Sequence, residues 1–187
     1  MLTNLAQENP VLDFPRHTTE TASEPARRRL GAIEGAFGYL PAAVSLMANS
    51  PETVEAFSAA NAQFERASLD PVSREVVVMT IATRYDCHVC IAMHSARLEA
   101  LDASPALIAA LRDRTPLRDE KYEALRTFTL AAMDGHGVVE DSVVERFRQA
   151  GYDERNALEV VLAIGTYTLS AFANRMTAAP LDDQVSA

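Results

Sequence analysis

The chain has 187 residues, of which 48% are hydrophobic and 23% charged, the balance of an ordinary globular protein and not of a disordered one. Net charge is −9 at pH 7, and the 17 basic residues are scattered, with only Arg27-Arg28-Arg29 contiguous. That pattern excludes the electrostatic footprint of a nucleic-acid or anionic-membrane binder.

The first residues, Met1-Leu2-Thr3-Asn4-Leu5-Ala6-Gln7-Glu8, have neither a basic start nor an apolar core, so no secretory signal is expected. A cytoplasmic location follows as the expectation, and in that reducing compartment a disulfide is more often catalytic or sensory than structural. Residues 1–21 are polar, with Pro10, Pro15 and four threonines, and read as an N-terminal arm. Residues 22–187 read as one all-α domain, a compact helical bundle, because helical periodicity is nearly continuous and no run of alternating strands occurs.

In chain order, Leu30, Ile33, Phe37 and Leu40 begin the apolar series, interrupted by Gly31, Gly35 and Gly38. A helix is expected from Pro41 to Ala48. Ser50-Pro51 supplies a cap and a first-turn proline for the next helix, which carries Val54, Phe57 and Phe64. Asp70-Pro71 repeats that signal before Val76, Val77, Val78, Met79, Ile81 and Ala82. These β-branched residues suit a strand as well, but the cap, the length and the lack of alternation favour helix. Asp86 is the expected cap of a helix running to about Leu101. Further helices are expected near 104–113, 118–134, 140–150 and 153–177, with turns at Gly135, Gly137 and Gly151. The apolar stretch between Glu159 and Arg175 spans fifteen residues, short of the ~20 a membrane span needs, and reads as a buried helix.

Both cysteines and two of the four histidines lie in Cys87-His88-Val89-Cys90-Ile91-Ala92-Met93-His94. Residues 87, 90 and 94 share a helix face, so one thiol can attack, the other resolve, and His94 move the proton. A position in the first turn favours the Cys87 thiolate, whereas the neighbouring Asp86 charge opposes it. Other readings of the pair compete. Zinc needs about four ligands, and His88 points to a different side of the helix. A thioredoxin-like motif would accompany a βαβ pattern, which is absent. Free cysteines also serve as small buried hydrophobes.

Glu75 lies twelve residues before Cys87 in an apolar run. It is either a solvated residue near a helix start or an inward carboxylate that fixes the His94 tautomer. Positions 75, 78, 79, 82 and 86 form a stripe apolar except at its ends, which favours the inward reading. His17, His88 and His136 read as structural or exposed, Tyr85 as a border of the site, and Met47, Met79, Met93, Met133 and Met176 as core.

Together Glu75, Cys87-x-x-Cys90 and His94 resemble the alkylhydroperoxidase D-like (AhpD-like) group of the carboxymuconolactone decarboxylase superfamily. Arg74-Glu75-Val76-Val77, Tyr85-Asp86-Cys87, Phe37-Gly38-Tyr39-Leu40-Pro41, Asn49-Ser50-Pro51-Glu52 and Ala173-Asn174-Arg175 resemble its peroxidase-related branch. The similarity is strong over residues 37–101 and weaker beyond. It implies an AhpD-like helical bundle assembled as a trimer or hexamer. It also implies a thiol-dependent peroxidase that reduces organic hydroperoxides or hydrogen peroxide through a Cys87/Cys90 disulfide cycle. No cofactor and no metal enter such a cycle; the partners implied are the hydroperoxide and a thiol reductant, a lipoylated or thioredoxin-like protein. In the resemblance Cys90 is the peroxidatic thiol, Cys87 the resolving one, and Glu75 and His94 the proton relay, although helix-start physics favours Cys87 as the thiolate. The chain departs from well-studied members at Val89, where they carry a histidine. His88, one place earlier, is rotated by about 100° and does not substitute. General disulfide oxidoreduction and a non-enzymatic redox-responsive oligomer are the alternative functions. A lactone decarboxylase would have no need of the thiol pair.

Overall fold

The computed structural model describes residues 12–185. Its helices are α1 (Glu24–Phe37), α2 (Ala42–Met47), α3 (Pro51–Phe64), α4 (Pro71–Arg84), α5 (His88–Ala100), α6 (Pro105–Arg112), α7 (Glu120–Asp134), α8 (Asp141–Gln149) and α9 (Glu154–Met176), followed by a 3₁₀ turn, Asp183–Val185. No strand occurs among the described residues.

The helix starts follow local chemistry. Proline occupies the first turn of α3, α4 and α6, where its missing N–H costs nothing. Ahead of each, a side-chain oxygen accepts from the third helical amide: Ser50 from Thr53, Asp70 from Ser73 and Ser104 from Leu107. Asp153 and Asn156 form a reciprocal capping box at the start of α9. At the other end, Gly38 closes α1 at φ 78°. Gly135 is required for space, since a Cβ there would meet the Val138 carbonyl oxygen at 2.0 Å.

Helix α4 is the axis of the fold, packed between α5, α6, α7 and α9. Val76, Val77, Val78, Met79 and Ile81 are fully buried. Burial on every side explains why this segment carries strand-like composition: packing overrides its modest helix propensity. Thr80 and Thr83 stay satisfied there by donating to the Val76 and Met79 carbonyls, each at 2.7 Å. Beyond α4, Phe128, Phe147 and Tyr152 stack in the core that α7 and α8 share.

Helix α9 matches the helix expected over 153–177 but is buried on one flank only. It has 23 residues, long and apolar enough by length and composition to span a bilayer. One flank, from Val160 through Tyr167 to Asn174, is buried against α2, α3, α4 and α7. The other exposes Leu158, Val161 and Phe172. Its apolar circumference therefore serves two surfaces, only one of them internal. Residues 1–11 of the expected arm lie outside the described residues. Within the rest, His17 N donates to Ser45 O at 3.2 Å, Ser45 Oγ to His17 O at 2.6 Å, and Asn49 Nδ2 to Pro15 O at 2.9 Å. Residues 15–17 thus lie across α2.

The start of α9 is pinned by Glu159, a buried carboxylate that the sequence did not single out. It accepts from Ser68 N and Oγ, Leu69 N, Asn156 Nδ2 and Arg155 Nε at 2.8–3.3 Å. Burial pushes its acidity the unfavourable way, but the hydrogen bonds from Ser68, Asn156 and Leu69 outweigh it and hold the group below its ordinary pKa. The stabilisation is complete above the unfolded carboxyl value of about 4.3 and is lost as pH falls through the lower folded value. Glu159→Gln is expected to cost about 1–3 kcal/mol at pH 7. In urea titrations between pH 7 and pH 3, the variant should also show a shallower acid loss of stability than the wild type.

Candidate functional site

The link between α4 and α5 builds the site. Asp86 was the expected cap of α5; instead it ends α4. Its φ is 52°, Asp86 N donates to Thr83 O and Cys87 N to Ala82 O, the paired bonds of a left-handed helix stop. Aspartate tolerates that conformation better than most residues. The Asp86 carboxylate pairs with Arg114. Cys87 is consequently the N-cap of α5, which starts one residue later than expected, and its Sγ accepts from Cys90 N at 3.4 Å.

Cys87 and Cys90 are joined as a disulfide, with Cα atoms 5.3 Å apart. Both are buried, Cys87 at 1% exposure and Cys90 at 6%. They are not equivalent. Cys90 lines a small cavity of about 70 Å³ together with His94, Tyr167, Ser170 and Asn174, and Cys87 does not. The Asn174 amide of α9 reaches both sulfurs, its Nδ2 3.5 Å from Cys90 Sγ and 3.7 Å from Cys87 Sγ.

Glu75 points inward from α4 and is 2% exposed. Its Oε2 lies 2.6 Å from His94 Nδ1, and its Oε1 is ion-paired with Arg97 Nε at 3.1 Å. An ionised carboxylate can only accept, so His94 Nδ1 carries the proton and Nε2 is left as the basic ring nitrogen. Arg97 also bonds Glu65 at 2.7 Å, and Arg74 stands 4.0 Å from the same carboxylate. Burial raises the Glu65 pKa, yet its hydrogen bond and charge contact with Arg97, and the charges of Arg74 and His94, bring it below the ordinary range. The Tyr167 ring packs edge-on to His94 at 5.3 Å, and its hydroxyl donates to Asn61 Oδ1 at 2.9 Å. Burial, with the Glu75 and Glu65 charges, pushes that phenol well above its ordinary pKa, so it stays protonated.

All four residues singled out by spacing, Glu75, Cys87, Cys90 and His94, therefore meet in one region. Tyr85 borders it, stacked edge-on against Phe172. His88 is exposed on the outer side of α5, and His17 and His136 lie elsewhere. Among the described residues, no group of three or more His, Cys, Asp or Glu side chains is gathered as a metal would need. Arg97 and Tyr167 escaped the sequence reading, and Asn174 entered it only within the Ala173-Asn174-Arg175 resemblance, with no role. Arg97 had a signal, since it follows His94 by one helical step on the same face. Tyr167 arrives from α9 and had none locally.

Removing Glu75 should be visible at the imidazole. Two-bond ¹H–¹⁵N spectra are expected to show the Nδ1-protonated tautomer of His94 in the wild type. In Glu75→Ala the Nε2-protonated form should gain, because no acceptor then holds the proton on Nδ1.

No family model and no curated protein matches the chain. Solved structures do. An alkylhydroperoxidase AhpD core, an uncharacterized peroxidase-related protein from Ralstonia eutropha JMP134, is 18% identical with a TM-score of 0.81, over 94% of this chain and 95% of that one. An uncharacterized peroxidase-related protein from Silicibacter sp. TM1040 is 17% identical with a TM-score of 0.76, over 98% and 97%. The debrominase Bmp8 is 16% identical with a TM-score of 0.64, over 86% of each chain. The chain thus has the all-α AhpD-like fold.

Proposed function

We propose that the protein is a thiol-dependent peroxidase that reduces hydroperoxides through a Cys87/Cys90 disulfide cycle. The observation that carries this reading is the 2.6 Å Glu75–His94 bond, set beside a cavity that His94 shares with one of two pairable sulfurs. A fold shared with a debrominase does not choose the chemistry; the site does.

In the proposed cycle Cys90 attacks and Cys87 resolves. His94 Nε2 takes the Cys90 proton, and Glu75 stabilises the imidazolium that results. The thiolate attacks the terminal oxygen of R–O–O–H: an S–O bond forms, the O–O bond breaks, and the departing alkoxide recovers the proton from His94. Cys87 then displaces hydroxide from the Cys90 sulfenic acid, which leaves as water with the Cys87 proton and yields the disulfide. A donor dithiol returns two electrons and two protons and becomes a disulfide itself. Cys87 suits its part as the group released in that last step, since the N-cap position and Cys90 N–H favour it as a thiolate.

Burial of both sulfurs supports a small oxidant over a folded protein disulfide, and a slender lipoyl arm over a thioredoxin-like surface as reductant. The exposed face of α9, with Leu158, Val161 and Phe172, supports a homo-oligomer; a trimer or hexamer and a cytoplasmic location are proposed from the sequence expectations alone. Cys90→Ser is expected to abolish hydroperoxide consumption with an unchanged helical circular dichroism spectrum. Cys87→Ser should complete a single turnover and leave a sulfenic acid that dimedone traps. Undiminished turnover in Cys90→Ser would end the proposal.

A further inference from the structure

Asn174 has an unusual position for an amide. It is 5% exposed, its Nδ2 faces both sulfurs, and its Oδ1 is buried with no hydrogen-bond partner. A buried acceptor left unpaired costs free energy, so it calls for a ligand or a reaction state that satisfies it. Turning the amide over would set a lone pair against the sulfurs and leave the NH₂ group unpaired, so the orientation is fixed by the pair it touches. The same residue lines the small cavity with Cys90 and His94. That chamber, about 70 Å³, accommodates little more than a hydroperoxyl group. It shares Pro41, Val44, Phe57, Met93, His94 and Tyr167 with a second, largely apolar cavity of about 520 Å³.

We infer that Asn174 is a catalytic residue whose amide works at both ends, Nδ2 holding the Cys90 sulfur and Oδ1 receiving the O–H of the hydroperoxide. The inference rests on the thiol-peroxidase reading and adds a residue to it. In the reduced protein the N–H donates to the Cys90 thiolate, a charge-assisted bond that stabilises the attacking form. The hydroperoxide enters with its terminal O–H in the chamber and its organic part in the apolar cavity. Donation to Oδ1 then places the terminal oxygen beside Cys90 Sγ. When the S–O bond forms and the O–O bond breaks, that hydrogen travels with its oxygen, so the new sulfenic O–H still donates to Oδ1. The alkoxide takes its proton from His94. Oδ1 is therefore satisfied in the complex and in the sulfenic acid, and unpaired in the disulfide state and in the reduced protein before the hydroperoxide enters.

The charged and titratable groups around the sulfurs are His94, with Glu75 and Arg97 behind it, Tyr167 on α9, and Tyr85, Asp86, His88 and Arg175 at the α4–α5 link. The α2 face, Ala42–Met47, contributes none. The test uses two near-isosteric variants. Asn174→Leu keeps the volume and removes donor and acceptor. Asn174→Asp keeps an acceptor, removes the donor and adds a like charge. In a Cys87→Ser background, where Cys90 is the remaining thiol, iodoacetamide alkylation is followed against pH. The midpoint is expected to rise by about one pH unit in Asn174→Leu and further in Asn174→Asp. In the chain with both cysteines, kcat/KM for cumene hydroperoxide should fall about tenfold or more in Asn174→Leu. That deficit should persist at pH values where Cys90 is fully ionised, and be smaller there in Asn174→Asp. Thermal melts show which variants fold, and either one alone decides the sulfur contact. An alkylation profile unchanged in a folded variant overturns the inference, as does a deficit that vanishes once Cys90 is ionised. If the wild type consumes no hydroperoxide, the peroxidase reading falls, while the alkylation profile still decides the contact of Asn174 with Cys90.

Discussion

A carboxylate in the most buried helix of the molecule sets the terms for everything near it. Glu75 lies on α4, amid residues with no solvent exposure, and an unpaired charge there would cost several kcal/mol. Both of its oxygens are occupied, one by His94 and one by Arg97. The two partners sit one helical step apart on α5, so a single face of that helix answers the charge. Docking of α5 on α4 is thereby fixed in register as well as in depth. Once that register is set, Cys90, one turn before His94, falls at the edge of the small cavity. The site is in this sense a consequence of satisfying one buried ion.

The network continues outward in alternating sign, from Glu75 to Arg97, Glu65 and Arg74. Arg97 bridges a deeply buried carboxylate and a half-buried one, a task suited to guanidinium, which offers several donors in a fixed plane and does not lose its proton. Glu65 ends α3 and Arg74 begins α4, so the same chain of charges links three helices around the relay. Rigidity matters here because the imidazole must present one particular nitrogen to the cavity, and a tautomer is only as fixed as the group that holds it.

Much of this was legible in the chain itself. Helix starts at Ser50-Pro51, Asp70-Pro71 and Ser104-Pro105 are written in local capping chemistry and need no tertiary information. The pairing of Glu75 with His94 was legible from a stripe of helical positions that was apolar but for its ends. Asp86 misled, because one aspartate before a helix satisfies the rule for a cap equally well when it terminates the preceding helix. Only the backbone distinguishes the two, and the bonds from Asp86 N and Cys87 N back into α4 decide it. The roles of Glu159, Tyr167 and Asn174 were hidden for another reason. Each sits in or at the start of the long apolar segment of α9, where a polar residue reads as an interruption until its partner, 84 to 106 positions away, is known.

The two sulfurs show how local and tertiary physics divide their labour. Judged on the helix alone, Cys87 is the favoured thiolate, since it caps α5 and accepts from Cys90 N–H. Judged on access, Cys90 is the better placed for the proposed attack, since it borders the cavity with His94. The conflict dissolves once nucleophile and leaving group are treated as separate requirements. A thiolate stabilised too well attacks weakly but departs readily, because nucleophilicity falls with pKa while leaving ability improves. Backbone capping therefore suits the sulfur that must be released, and a tunable side-chain contact suits the one that must attack. A backbone amide at a helix start is present throughout the cycle, whereas an imidazole or a carboxamide can exchange partners as charge moves from sulfur to oxygen. Asn174 Nδ2 reaches both sulfurs, so the asymmetry of the pair lies in the backbone donor that Cys87 alone has and in the cavity that Cys90 alone shares with His94.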